Sequence, residues 1–203
     1  MNIKKNNLLL ASSSIAVAGS SFFIAILLIK NSSSADFGAF SLLQILQALS
    51  ISLVNALFFV PKLSLKKNNL KEVLLSSIFF LLFFASIFSA IGFCIFLYLK
   101  NNIGICLFVF LYMSINIGRS FLRSELNLNG DIVGMAISEW LNSIALMLLV
   151  VFTFISFTIS FYSIVICLFI SSIISLFYLL YRFNFMFSHD DYSNKNVSYF
   201  QVI

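Results

Sequence analysis

Residues 34–63 read SADFGAFSLLQILQALSISLVNALFFVPKL: a short polar turn, a long apolar run and the start of a lysine-rich loop. Ser34 and Asp36 are predicted to cap a helix, because their oxygens accept hydrogen bonds from unpaired N–H groups and the negative charge offsets the helix dipole. The run from Phe37 to Val60 has no charged residue and covers about 24 residues, or about 36 Å of helix. This length exceeds the roughly 30 Å hydrocarbon core of a bilayer, so the run is predicted to be a transmembrane helix.

One face of this predicted helix is polar. Its amide-bearing residues recur at helical spacing and are Gln44, Gln47 and Asn55. An amide that faced lipid would lack hydrogen-bond partners, so this face is predicted to look into protein or water. The three side chains are therefore candidates for the wall of an internal cavity.

Composition identifies the chain as an integral membrane protein. Of its 203 residues 61% are hydrophobic and 9% are charged, whereas soluble domains carry about 25% charged residues. The basic residues lie between apolar runs rather than along one face, so the net charge of +5 does not predict nucleic-acid binding. Six apolar runs predict six transmembrane helices, near residues 8–29, 38–60, 73–99, 103–118, 133–156 and 160–181.

The first run begins like a signal peptide, with Lys4 and Lys5 ahead of an apolar stretch. The apolar character continues to Ile29, which favours a retained first transmembrane helix. With the N-terminus in the cytoplasm, ten of the twelve basic residues fall on the cytoplasmic side, and only Lys30 and Lys100 fall outside. The positive-inside rule therefore predicts that both termini are cytoplasmic.

The sequence contains no enzyme motif, neither a phosphate-binding glycine loop nor paired intramembrane carboxylates. Residues 1–182 are predicted to form one helical lobe, and residues 183–203 a polar cytoplasmic tail. His189 and the two aspartates after it lack a third ligand, and the three cysteines lie in apolar runs without metal-binding spacing. We therefore predict no catalytic residue, no metal site and no cofactor.

Glu139 is the one ionisable residue well inside a predicted span, about 12 Å along the helix from Asp131. An intramembrane carboxylate is costly, so it marks a polar interior or an ion path, or it fixes helix packing through hydrogen bonds. Asn142 and Ser143 extend the same helix face. An arginine of another span is the expected partner of the carboxylate.

Asn116, Arg119 and Arg123 share a face at the end of the fourth run. Two arginines one turn apart can bind a phosphate or diphosphate through several hydrogen bonds. The same pair fits ordinary positive-inside anchoring, so both hypotheses stay open.

Small residues also share a face of the first run, namely Ser12, Ala16, Gly19 and Ser20. Close helix packing explains such a face, although it also permits a water-filled cavity.

A recognisable signature runs through these features. It consists of Ser34, Asp36, Phe37, Gly38, Phe40 and Gln44, followed by Arg119, Leu122 and Arg123. In this order the features resemble the N-terminal part of polysaccharide biosynthesis proteins, the flippases of O-antigen and capsule units in the multidrug/oligosaccharidyl-lipid/polysaccharide exporter superfamily. The resemblance extends from about Leu8 to Arg182.

The resemblance implies an all-α integral membrane protein of the bacterial inner membrane, with six transmembrane helices that form one lobe of a two-lobe exporter fold. It implies movement of an undecaprenyl-diphosphate-linked oligosaccharide between leaflets by alternating access, without ATP hydrolysis. The expected partners are the lipid-linked oligosaccharide, membrane lipids and a second six-helix lobe, from a separate chain or a second copy. The expected cavity residues are Gln44, Gln47, Asn55, Asn116, Glu139 and Asn142, with Arg119 and Arg123 at the diphosphate.

Two other functions fit the same sequence. A cation-coupled exporter of small molecules would use Glu139 as its proton or sodium carrier. A membrane interaction subunit, or an inactive fragment, would use the polar faces for helix packing alone.

Overall fold

The structure, a computed structural model, describes residues 3–59, 70–99 and 102–188. Within these ranges the chain is all-helical, with one helix for each predicted run. The helices are α1 (Ile3–Asn31), α2 (Ser34–Val54), α3 (Leu70–Tyr98), α4 (Ile103–Leu128), α5 (Ile132–Ser156) and α6 (Phe161–Ser188). A π-helical turn, Asn55–Phe59, continues α2.

Five of the described helices are long and apolar enough to cross a membrane, and the apolar part of α3 found among the described residues, Leu82–Tyr98, is shorter. Many leucine, isoleucine and phenylalanine side chains are exposed along these helices, as lipid-facing surfaces require. The prediction of an all-helical, multi-pass membrane protein is confirmed. Its place in a two-lobe assembly stays a prediction.

The fourth span is longer than predicted. Its charged residues indicated an end at residue 118, but α4 continues to Leu128. The charges do not end the helix, because Arg119 and Glu125 are buried against the rest of the bundle and Arg123 pairs with a carboxylate of α5.

The sixth span also continues past its predicted end at residue 181, to Ser188. Its Arg182 stays in the helix because it pairs with Asp131. The predicted tail therefore begins as helix, and its remainder from His189 onward lies outside the described residues. The lysine-rich connection between the second and third spans lies outside them as well, apart from its last residues, which form the start of α3.

Successive helices run in alternating directions, so the bundle has two distinct ends. One end, here called the Asp36 end, holds the α1–α2 and α5–α6 turns, and the other, the Asp131 end, holds the α4–α5 turn. The closest helix packing joins α3 to α4, α4 to α6, α5 to α6, and α1 to α5. Although α4 and α5 are consecutive, they make fewer contacts with each other than with these partners, so long side chains bridge the space between them.

At the Asp36 end a carboxylate ties two turns together. Ser33, rather than the predicted Ser34, is the N-cap of α2: its hydroxyl accepts from the Asp36 N–H at 3.1 Å. The same hydroxyl donates to Asp36 Oδ2 at 2.9 Å. Asp36 Oδ1 accepts the Phe161 N–H at 3.1 Å, so it caps the start of α6. Asp36 was predicted to cap α2, but its side chain caps α6 instead and supports the α2 cap only by accepting the Ser33 hydroxyl.

At the Asp131 end a second carboxylate has the same kind of role. Gly130, with φ of 78°, makes the sharp turn after α4 that glycine adopts without strain. Asp131 Oδ1 then accepts the Gly134 N–H at 3.1 Å and caps α5. Arg182 of α6 donates to both oxygens of this carboxylate, through Nε at 2.7 Å and Nη2 at 3.3 Å.

Gly134→Ala is expected to lower the free energy of unfolding by about 1–3 kcal/mol. A Cβ at this position would overlap Asp131 Oδ2 and lie 3.1 Å from Arg182 Cγ. The carboxylate cannot move away without losing its hydrogen bonds to Gly134 and Arg182. Thermal unfolding of the purified protein in detergent measures the effect.

The matched control is Gly118→Ala, because a Cβ on Gly118 meets no atom within 4 Å. This variant is expected to be as stable as the native chain or slightly more so, since alanine favours helix over glycine. Equal losses in the two variants would contradict the packing at Gly134.

The apolar core occupies the half of the bundle toward the Asp36 end. Its fully buried side chains come from all six helices and include Leu28, Leu43, Phe96, Val109, Val150 and Ile164. The rings of Phe96 and Phe161 stack there at 5.3 Å between centroids. Toward the Asp131 end a smaller apolar cluster, Val54, Ala85, Ile117 and Phe121, packs α2, α3 and α4. We call this part of the bundle the polar half, because α4 and α5 also bury charged and amide side chains there.

Candidate functional site

Three charged side chains meet inside the polar half of the bundle. Arg119 and Arg123, one turn apart on α4, both point at Glu139 on α5. Because α4 and α5 are antiparallel across the Asp131 turn, residues equally far from the turn face each other. We call Arg119, Arg123 and Glu139 the charged cluster.

The cluster is asymmetric. Arg123 Nη1 lies 3.0 Å from Glu139 Oε1, a close ion pair, whereas Arg119 Nη2 lies 3.9 Å from Oε2. The Glu139 side chain is 4% exposed and that of Arg119 10%, but that of Arg123 is 39% exposed. Together the three side chains carry one net positive charge, so the carboxylate neutralises only half of the arginine charge.

A cleft of about 230 Å³ opens beside the cluster. Arg123 and Glu139 form one wall, and Ser14, Val17 and Ala18 of α1 form the other. The residues of α1 are small enough to leave room next to the guanidinium group. The cleft therefore gives a ligand access to Arg123.

Several buried polar atoms have no hydrogen-bond partner among the described residues. Four of them belong to α4 and α5, at the cluster or one turn deeper: Arg119 Nη1, Asn116 Nδ2, Asn142 Oδ1 and Ser143 Oγ. A buried polar group without a partner costs about 1–3 kcal/mol. Such a group in a native structure indicates a role for water, an ion or a ligand at that place.

The amide face of α2 meets the same region through one residue. The Tyr112 hydroxyl of α4 donates to Gln47 Oε1. Gln44 is half-buried one turn away. Asn55 lies in the π-helical turn, and its buried Oδ1 has no hydrogen-bond partner among the residues that the structure describes. We call the cluster and its polar neighbours the polar strip: Gln47, Tyr112, Asn116, Arg119, Arg123, Glu139, Asn142 and Ser143.

Tyr112→Phe is expected to lower the free energy of unfolding by about 0.5–1.5 kcal/mol, because it removes the donor that Gln47 accepts. Tyr162→Phe is the control, since Tyr162 is exposed and its ring contact with Phe108 is kept. Thermal unfolding in detergent compares the two. Equal stability of both variants would contradict the α2–α4 hydrogen bond.

Of the eight candidate residues from the sequence, Arg119, Arg123 and Glu139 come together directly. The sequence predicted separately that Glu139 has an arginine partner and that Arg119 and Arg123 bind an anion. In the structure these residues pair with one another. Asn116 and Asn142 lie one turn deeper than the cluster on α4 and α5. Within the described part of the chain, Gln44, Gln47 and Asn55 form no hydrogen bond with the charged side chains, so their place at a shared cavity stays a prediction.

Sequence reasoning missed the cleft wall on α1. The small residues singled out there, from Ser12 to Ser20, lie on roughly the opposite side of the helix from Ser14 and Ala18. Ser20 is buried and donates to the Val17 carbonyl of its own helix. Nothing in the local pattern of α1 distinguished one face of small residues from the other.

Within residues 3–59, 70–99 and 102–188 no group of three or more histidine, cysteine, aspartate or glutamate side chains could hold a metal ion. The site is instead rich in hydrogen-bond donors of positive charge. Its chemistry is that of anion binding.

These features define a multi-pass helical membrane protein with a buried, partly open polar site between α1, α4 and α5. Comparison with known protein families, curated proteins and solved structures finds no match for this chain.

Proposed function

We propose that this chain is one lobe of a membrane flippase that moves lipid-diphosphate-linked oligosaccharide units from the cytoplasmic to the outer leaflet of the bacterial inner membrane. The observation that carries the proposal is the charged cluster, a pair of arginines with excess positive charge beside an open cleft. Each arginine guanidinium offers several N–H donors, so a pair of arginines can hydrogen-bond the oxygens of both phosphates of a diphosphate. The resemblance to polysaccharide-unit flippases supplies the lipid-linked sugar.

The division of the bundle supports the same function. The larger apolar core fills the half toward the Asp36 end, while the buried charged and amide side chains of α4 and α5 lie toward the Asp131 end beside a smaller apolar cluster. An alternating-access carrier needs this arrangement in each of its states, with one end sealed and the substrate site in contact with the other. The positive-inside rule places the Asp131 end in the cytoplasm. With Arg119 and Arg123 counted as site residues, eight of the other ten basic residues still favour that orientation.

The cluster favours an anionic cargo over a cation-coupled exporter. A cation carrier requires a carboxylate that is free to bind a proton or sodium, but Glu139 is enclosed by two guanidinium groups. The net positive charge of the cluster repels a cation. Cation coupling would predict sensitivity to small amphipathic compounds after deletion, with surface glycan unchanged.

Deletion of the gene tests the proposal in the cell, where any second lobe is present. We expect lipid-linked oligosaccharide to accumulate on the cytoplasmic leaflet and surface polysaccharide to be lost. The native gene should restore both, and Arg123→Ala should restore less than a tenth of the surface polysaccharide. Lys30→Ala, which removes the same charge from an exposed helix end, should restore it fully. Unchanged surface polysaccharide and leaflet distribution in the deletion strain would refute the function.

A further inference from the structure

The carboxylate of Glu139 lies between the two arginines of the charged cluster. It accepts from Arg123 at 3.0 Å and faces Arg119 at 3.9 Å. Carboxylate and phosphate oxygens use the same guanidinium donors with the same geometry. In the structure the two arginines therefore pair with an anion that belongs to the chain itself.

This internal anion fits the arginines incompletely. Arg119 is 8% exposed, and its Nη1 has no hydrogen-bond partner among the described residues. Asn116, buried one turn deeper on the same face, has an unpartnered Nδ2. Donors exceed acceptors among these described side chains, and the charges of the three cluster residues sum to one positive. A ligand with more oxygens and two negative charges would satisfy the site better than one carboxylate does.

The ligand can reach the ion pair from the cleft. Arg123 is the exposed member of the cluster and lines the cleft together with Glu139. An incoming anion therefore meets Arg123 before Arg119. It would compete with Glu139 at the closer of the two ion pairs.

We propose that Glu139 is an internal competitor for a diphosphate: its carboxylate pairs with Arg119 and Arg123 and is displaced when a diphosphate binds these two arginines. The inference rests on the proposed function and adds the regulation of its site. A diphosphate diester carries two negative charges, which match the two guanidinium groups. Displacement leaves the Glu139 carboxylate beside the cleft, where water can solvate it.

Such an exchange has a physical advantage for a carrier. An empty site with two bare arginines would leave buried charges without counter-ions, which is strongly destabilising. It would also bind diphosphate so tightly that release would be slow. A competing carboxylate stabilises the empty state and lowers the affinity by the free energy needed to break the internal pairs.

Binding of farnesyl-diphospho-N-acetylglucosamine, a diphosphate diester with two negative charges, to the full chain in lipid nanodiscs tests the inference. Glu139→Gln keeps the size of the side chain but removes the competing charge, so it should bind at least about tenfold more tightly than the native chain. Glu139→Asp keeps the charge on a shorter arm that reaches Arg119 less well, and its affinity should lie between the two. Lys30→Ala is the charge control and should bind like the native chain. Inorganic pyrophosphate, measured in parallel, separates recognition of a lipid headgroup from recognition of the free anion.

The binding results test the displacement of Glu139 separately from diphosphate recognition. Native binding with equal or weaker binding by both Glu139 variants would overturn the inference and leave the proposed function standing. Absence of binding in the native chain and in both variants would refute diphosphate recognition itself. If Glu139→Gln does not fold, Glu139→Asp decides alone. An infrared difference spectrum of the native chain on ligand addition should also show one perturbed carboxylate, and its absence would count against displacement.

Discussion

Glu139→Ala should be the most destabilising single change in the described part of the chain, with a loss of about 3–5 kcal/mol in the free energy of unfolding. The substitution leaves Arg119 and Arg123 next to each other without their shared carboxylate. Arg119 is buried, so water cannot replace the lost partner there. Folded yield and melting temperature in detergent measure the loss.

A fully neutral cluster provides the control for this prediction. Arg119→Met, Arg123→Met and Glu139→Leu combined remove all three charges and keep comparable volume. Replacing buried charges together is often neutral or stabilising, whereas removing one partner is costly. We expect the triple variant to recover most of the stability lost in Glu139→Ala but to have no transport activity. If Glu139→Ala alone is as stable as the native chain, Glu139 does not form the buried ion pairs with Arg119 and Arg123.

Asp36→Ala is the second large effect and should cost about 2–4 kcal/mol. The carboxylate accepts the Ser33 hydroxyl and the Phe161 N–H, so its loss exposes the starts of two helices at once. Both turns lie at the sealed Asp36 end, where they close over the apolar core. Melting temperature in detergent again gives the measurement.

Ser33→Ala separates the two roles of Asp36. It removes the N-cap of α2 but leaves the Asp36–Phe161 hydrogen bond, so it should cost about 1 kcal/mol. Asp36→Asn keeps an acceptor for the Phe161 N–H and should fall between Ser33→Ala and Asp36→Ala. An equal loss in Ser33→Ala and Asp36→Ala would mean that the contact with α6 contributes nothing.

Much of the fold follows from local sequence, and the reasons are physical. Apolar runs of bilayer length predict helices because the backbone in lipid must satisfy its own hydrogen bonds. Helix ends marked by a change in polarity, such as Ile132 and Ser156 of α5, agree closely with the structure. The end of α4 does not, because the sequence shows the charge of Arg119 and Arg123 but not the carboxylate across the space that allows them to stay buried in a helix.

The individual residues of the site could be predicted from the sequence, but the contacts between them could not. The cost of Glu139 in a membrane implied an arginine partner, and helical spacing put Arg119 and Arg123 on one face. Their pairing depends on the register of α4 against α5, which the three-residue turn at Asn129–Asp131 sets and which no local pattern reveals. The cleft wall at Ser14 depends on the rotation of α1 in the bundle, and this too is a property of long-range packing.

We expect the charged cluster to lie beside a water-accessible path inside the membrane bundle. Ser14 and Ile15 provide the most direct test, since they are adjacent and both exposed, but only Ser14 lines the cleft. In a background with Cys94, Cys106 and Cys167 replaced, each is changed to cysteine and treated with a membrane-impermeant thiol reagent from the side of the Asp131 end. We predict rapid labelling at position 14, protection there by a lipid diphosphate, and no labelling at position 15. Equal labelling at the two positions, or labelling at position 15 alone, would contradict the account.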